Sequence, residues 1–258
     1  MMEPDLLLLF IAGLFGGMLN SIAGGGTFIT FPALLFAGVP PISANATNTF
    51  ASCSGYISGA YAFRMELQAH KSELAKYILI SLIGGMVGAW LLLQTPAQLF
   101  RDAIPWLLLF ATILFVIGAE LNERLKKLSS LYRHGASIGS LLLFILLLGV
   151  CIYGGFFNAG LGIIMLSYLA LAGHKNINAM NGLKLLTSAC VSLAAIALFI
   201  YNGEIAWLEG CIVFVGTLAG GYIAARLSRK ISEMYVRYFV IFAGFSITLY
   251  FFYDVYAA

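Results

Sequence analysis

The sequence predicts an all-α integral membrane protein made of two inverted repeats, each a glycine-broken hairpin plus three transmembrane helices. Three observations carry this expectation. Of 258 residues, 61% are hydrophobic and 10% charged, and the mean hydropathy is +0.96, an apolar excess that a water-exposed surface does not tolerate. The apolar residues are gathered into runs of bilayer-spanning length. A glycine-rich break, Gly16-Gly17-Met18-Leu19-Asn20-Ser21-Ile22-Ala23-Gly24-Gly25-Gly26-Thr27, interrupts the first run and has a counterpart in the second half.

A spanning helix needs roughly 20 apolar residues. Eight stretches qualify: Leu6 to Ile22, Ala44 to Phe63, Leu74 to Leu93, Ala103 to Ala119, Ser137 to Phe157, Ala179 to Tyr201, Ile205 to Leu227 and Met234 to Tyr256. Two short apolar pieces, Thr27 to Ala37 and Gly162 to Ala172, are left over. Glu3 and Asp5 precede the first stretch and no small-residue cleavage site follows a basic start, so it reads as retained rather than as a signal peptide.

Successive glycines each lower helix stability by roughly 1 kcal/mol relative to alanine. The first helix is therefore expected to unwind near Asn20 and restart near Thr27. In hydrocarbon, unpaired backbone groups cost several kcal/mol each, so such a break must line a cavity or be covered by protein. It reads as part of a substrate pathway.

The second half repeats the first. Gly16-Gly17-x-x-Asn20 matches Gly154-Gly155-x-x-Asn158, and each is followed by a turn, a short apolar piece and an Ala-Gly, Ala37-Gly38 or Ala172-Gly173. Ser43-Ala44 then matches Asn178-Ala179, Gly84-x-x-x-Gly88 matches Gly216-x-x-x-Gly220, and Arg101 falls close to Arg237. Repeated membrane domains are a hallmark of secondary transporters.

Charge decides the sense of the repeat. If all eight stretches cross once and the short pieces do not, the basic residues outside the helices divide seven against six. If Leu6 to Ala37 and Ser137 to Ala172 each enter and return, twelve lie on one side and Arg101 alone on the other. The positive-inside rule selects the second arrangement. Each half then has an odd number of crossings, the hairpins enter from opposite faces, and both termini are periplasmic. The domains read as a first transmembrane repeat over 1–120, a basic cytoplasmic loop over 121–136 and a second repeat over 137–258. A returning piece of 11 residues rises about 16 Å, so the two tips are expected to meet near the midplane.

The run Gly13-Leu14-Phe15-Gly16-Gly17, then Ala23-Gly24-Gly25-Gly26-Thr27-x-x-x-x-Pro32-Ala33-Leu34-Leu35, Gly38-x-Pro40 and Ala44-x-Ala46-Thr47, resembles the signature of the TauE/SafE sulfite exporter family. In the second half Asn158-Ala159-Gly160-Leu161-Gly162 stands where a second triple glycine is usual. The resemblance covers the whole chain. It implies movement of a small sulfur-containing anion, such as sulfite, sulfoacetate or a related organosulfonate, across the bacterial inner membrane by alternating access, with export as the expected direction.

Helix starts present N–H groups and positive dipole ends to anions, and polar residues cluster on equivalent segments. The substrate site is expected to draw on Asn20, Ser21, Gly24, Gly25, Gly26, Thr27, Thr47, Asn48, Asn158, Gly160, Asn181 and Lys184, with further donors at Thr49, Thr187 and Ser188. Each of these polar side chains could instead bond a helical carbonyl or cap a helix end. Lys184 alone among the basic residues sits inside an apolar helix. A charge there costs about 2.5 to 3.5 kcal/mol; it either meets a bound anion or snorkels to the interface. The glycine pairs at Gly55/Gly59, Gly84/Gly88 and Gly216/Gly220 read as close helix packing, and Pro32 as a kink or stop.

Other classes find less support. No nucleophile–base pair or metal-ligand cluster is visible, so neither enzyme activity nor a metal or cofactor is expected. No basic stripe suggests nucleic acid. Cys53, Cys151, Cys190 and Cys211 read as buried packing residues, and His70, His134 and His174 as solvated loop residues. Asp and Glu occur only at segment ends, which leaves the coupling ion open between H+, Na+ and none. Small-residue faces permit a monomer or a homodimer in the lipid bilayer. The alternatives are uptake of thiosulfate, contacting Cys53 and Cys190, or of another small organic anion, and a non-transporting membrane assembly factor.

Overall fold

In the computed structural model, which describes residues 3–22, 25–131, 136–227 and 233–257, the described residues form helices joined by short turns, with no strand. In chain order these are α1 (Glu3–Ile22), α2 (Thr27–Phe36), α3 (Pro41–Ala62), α4 (Arg64–Gln68), α5 (Lys71–Gln94), α6 (Ala97–Leu131), α7 (Ala136–Phe156), α8 (Leu161–Leu171), α9 (Ile177–Tyr201), α10 (Trp207–Leu227) and α11 (Glu233–Tyr256). Every apolar stretch is helical, and both glycine breaks separate a long arm from a short one, α1 from α2 and α7 from α8.

By length and composition, Lys71–Gln94, Ala97–Gly118, Ile177–Tyr201 and Tyr238–Tyr256 are apolar enough to cross a membrane, with shorter apolar helices among the rest. α3, expected to cross as Ala44 to Phe63, is not among them. Asn45, Thr47, Asn48, Thr49 and Ser52 dilute its hydropathy, yet all are buried. α6 runs on to Leu131, so the interval 121–136 begins as helix, and residues 132–135 lie outside the described residues. α2 continues through Pro32 rather than stopping at it.

The glycines allow helix backbones to touch. A Cβ on Gly13 would lie 2.6 Å from the Val213 carbonyl, one on Gly216 2.6 Å from the Phe10 carbonyl, and one on Gly220 would overlap the Leu14 carbonyl. In this register α1 and α10 run the same way. α5 meets α7 likewise, Gly84 against Cys151 and Gly88 against Ile152 and Phe156. The matched pairs Gly84/Gly88 and Gly216/Gly220 thus serve the packing inferred for them, each seating the long arm of a hairpin. α3 packs on α9 at the centre, with α6 against α11.

The two short arms end alike. Gly38 (φ +82°) follows α2 and Gly173 (φ +94°) follows α8, a left-handed backbone that glycine adopts without steric cost. The next amide then reaches back to the helix, Val39 to the Leu34 carbonyl and His174 to the Leu169 carbonyl, both at 3.0 Å, closing the last turn.

A core rich in phenylalanine joins the halves. Phe31 of α2 meets Phe157 edge-on at 5.5 Å, and Phe157 meets Phe100 at 6.4 Å. Leu7, Phe15, Leu79, Trp90, Phe242 and Leu249 are exposed, as befits side chains solvated by lipid. Cys53, Cys151 and Cys190 are buried as expected, but Cys211 is exposed; it lies on a face of α10 that no described helix covers.

Candidate functional site

Among the buried polar residues of α3 are Asn45, Asn48, Thr49 and Ser52, with Tyr56 one turn on. These positions fall on one face of a helix. α9 answers with Thr187, Ser188 and Ser192, all buried. A polar seam therefore runs where the two central helices meet, inside an apolar bundle. Both hairpins reach it.

At the first hairpin, Thr30 Oγ1 donates to Asn48 Oδ1 at 2.5 Å and lies 3.1 Å from the Gly26 carbonyl. The glycine carbonyls are not bare: Gly25 O accepts from Phe28 N, and Gly26 O from Ile29 N and Thr30 N. Gly26 is required by crowding, since a Cβ there would overlap the Gly16 carbonyl and lie 2.9 Å from Asn20 Cβ. A Cβ on Gly25 would lie 2.6 Å from Val240 Cγ1. Asn20 turns toward α3, its Nδ2 3.3 Å from where a Gly55 Cβ would stand. Gly24 lies outside the described residues, as does the side chain of Ser21.

At the second hairpin, Gly160 takes φ +78° at the start of α8, and Asn158, 2% exposed, is held on two sides. Its Oδ1 accepts from the Tyr56 hydroxyl at 2.6 Å, and its Nδ2 donates to Ser192 Oγ at 3.2 Å. Thr27, where α2 begins, lies beside Tyr56. Tyr56 on α3 thus sits between the two hairpin tips. Asn45 Nδ2 donates to the Phe156 carbonyl at 3.0 Å, where α7 ends.

Two buried groups beside these contacts have unmet hydrogen-bonding capacity: Asn48 Nδ2 and Thr187 Oγ1, like Asn45 Oδ1 and Thr112 Oγ1, have no partner among the described residues. Leaving a buried donor unpaired costs about 1 to 3 kcal/mol. Such groups in a native core call for a role.

The remaining expected residues divide. Thr47 Oγ1 accepts the Ala206 amide at 3.0 Å ahead of α10. Lys184 donates to Asn181 Oδ1 at 3.1 Å, and its stem passes Gly162, whose Cβ would stand 3.4 Å from Lys184 Cδ. The half-buried ammonium is thus at the second hairpin, bent one turn toward the start of α9. A cavity of about 280 Å³ opens at the far end of α9, bounded by Gly38, Ser43, Gly203, Glu204 and Ala206; Ser43 donates to Glu204 at 2.5 Å across it.

Asn45, Tyr56 and Ser192 were not expected at the site. Spacing could have found the first, three residues ahead of Asn48 on the same face. Tyr56 carries no such signal, since tyrosine in an apolar run reads as an interfacial aromatic. A further departure concerns the histidines. His174 is not solvated: its side chain is 11% exposed and its Nε2 lies 3.4 Å from Glu73 Oε2, with the His70 ring 5.4 Å away. His134 lies outside the described residues.

The sequence matches the family described as Sulfite exporter TauE/SafE over residues 9–251. The chain belongs to this family. It is 31% identical over 241 residues to the "Probable membrane transporter protein YfcA" of Escherichia coli strain K12, covering 92% of this chain and 86% of that protein. It is 29% identical over 254 residues to a "Probable membrane transporter protein" of Haemophilus influenzae, covering 97% and 96%. A Sinorhizobium sp. relative, "Probable membrane transporter protein ORF9", is 27% identical over 222 residues. No solved structure gives a significant match. The chain is thus a multi-pass membrane transporter of the TauE/SafE type, for a small-molecule substrate.

Proposed function

We propose that the chain moves a small sulfur-containing anion, sulfite or an organosulfonate such as sulfoacetate, through the seam between α3 and α9, with the halves rocking around the hairpin tips in alternating access. The observation that carries this reading is the unpaired, fully buried Asn48 Nδ2 beside the first tip. A sulfonate or sulfite oxygen is the acceptor that such a donor lacks. Thr187 Oγ1 supplies a second donor from α9, and Lys184 a charge at the second tip.

A two-fold repeat is supported by helix register, and its inverted sense by the distribution of basic residues. α1 runs parallel to α10, and α7 parallel to α5; α10 and α5 occupy equivalent places in the two halves on either side of one odd set of crossings. Exchanging the halves carries one pairing into the other, as alternating access between inverted repeats requires. The positive-inside rule adds an inner-membrane orientation with periplasmic termini. Export is the direction the family name favours.

Thiosulfate is the second reading, favoured by Cys53 and Cys190, both buried, on the packed helices α3 and α9. Flux into proteoliposomes separates these. Radiolabelled sulfite or sulfoacetate should cross with the wild-type protein, and Gly25→Leu and Asn20→Ala should slow it. Wild-type rates in both variants, inserted normally, would place the site elsewhere. Thiosulfate flux that falls only in the Cys53→Ser/Cys190→Ser protein would favour the second reading.

A further inference from the structure

At the end of the bundle where α8 turns into α9, three side chains from both halves converge. His70 precedes α5 and Glu73 lies in its first turn, so the two share a face at the i, i+3 spacing. The Glu73 amide donates to the His70 carbonyl at 2.9 Å, which fixes that turn. His174 comes from the other half, placed by the left-handed Gly173 and its own amide bond to the Leu169 carbonyl. One ligand atom from each of the three can be chosen so that all lie within 4.8 Å of one another.

The distances suit a shared ion better than the hydrogen bonds they would otherwise be. His174 Nε2 lies 3.4 Å from Glu73 Oε2 and 3.3 Å from the Tyr77 hydroxyl. Both exceed the usual 2.7 to 3.2 Å of an N–H···O bond, and a single ring N–H cannot serve both well. Bonds of about 2.0 to 2.2 Å in tetrahedral geometry set neighbouring ligands roughly 3.3 to 3.5 Å apart. The His174–Glu73 edge already has that length. The Glu73 side chain is 46% exposed, so its rotation can close the remaining edges.

We propose that His70, Glu73 and His174 form a binding site for a divalent transition metal of the zinc class, joining the two halves of the protein at this end. Two imidazoles and one carboxylate are the ligand set that such ions take, whereas magnesium and calcium favour oxygen alone. The fourth position is left to water. The site stands apart from the anion seam and does not depend on the transport reading.

The test is calorimetric titration of Zn2+ into purified full-length protein without a histidine tag, stripped beforehand with chelator, with Co2+ absorption as a second readout. The wild type should bind one ion per chain and give the intense visible bands of tetrahedral cobalt. His174→Gln and His70→Gln should bind at least about tenfold more weakly and lose those bands, while His134→Gln should match the wild type. Glu73→Gln, at a partly exposed position, provides a variant that leaves the buried ring in place, and it too should weaken binding. Failure of the wild type to bind, or equal affinity in the His70, Glu73 and His174 variants, overturns the proposal.

Discussion

The Tyr56 hydroxyl donates to Asn158 Oδ1 at 2.6 Å, joining α3 of the first half to the hairpin tip of the second. With Thr27 also beside it, Tyr56 on this central helix sits between the two glycine breaks. Tyr56→Phe removes the hydroxyl alone and leaves a buried amide oxygen unpaired. A loss of about 1 to 3 kcal/mol is expected, read as a lower unfolding midpoint in detergent, together with slower anion flux. Unchanged stability and flux would show that the tips are held independently of this hydroxyl.

Backbone contact through glycine accounts for the seating of both long arms. Gly220→Ala and Gly88→Ala each drive a methyl into a neighbouring carbonyl, of Leu14 and Ile152 respectively, and overpacking of this kind costs typically about 1 to 3 kcal/mol. Gly149, also on α7, has open space where its Cβ would be, and Gly149→Ala should be neutral or stabilising by up to about 1 kcal/mol. Thermal unfolding of the three variants reads the contrast. Equal midpoints would remove the argument for close approach.

Orientation is open to chemical labelling. Gln98, after the turn from α5 to α6, and Lys175, in the turn from α8 to α9, are both exposed and are expected on opposite faces of the membrane. In a background without native cysteines, a membrane-impermeant maleimide added to intact cells should label Gln98→Cys. Lys175→Cys should react only after permeabilisation. The reverse pattern would turn the protein over, and labelling of both from outside would contradict the crossing scheme.

Much of this architecture is legible in the chain because it rests on local chemistry. The triple glycine Gly24-Gly25-Gly26 marks the interruption before Thr27, and the repeat carries it over to the one between Phe156 and Leu161, whereas paired glycines such as Gly84-Gly85 stay helical. The Ala37-Gly38 and Ala172-Gly173 matches foretell two identical helix endings for the same reason. Contacts between distant segments could not be read. Nothing local foretells that Thr47 also accepts the Ala206 amide ahead of α10. His70 and His174 look like unrelated loop residues until two turns meet. Tyr56 acquires its role only because Asn158 is folded against it.

The central claim, that an anion is held at the hairpin tips, is tested most directly by thermal unfolding of the detergent-purified protein with sulfite, sulfoacetate, taurine, thiosulfate, sulfate and acetate in turn. A ligand that binds only the folded state at a hundred times its Kd stabilises by about 2.7 kcal/mol. Sulfite or a sulfonate should raise the midpoint of the wild type, and Asn48→Ala and Lys184→Ala, each measured against its own ligand-free midpoint, should lose that rise. A rise of full size in both variants, or none with any of these anions, would contradict the account.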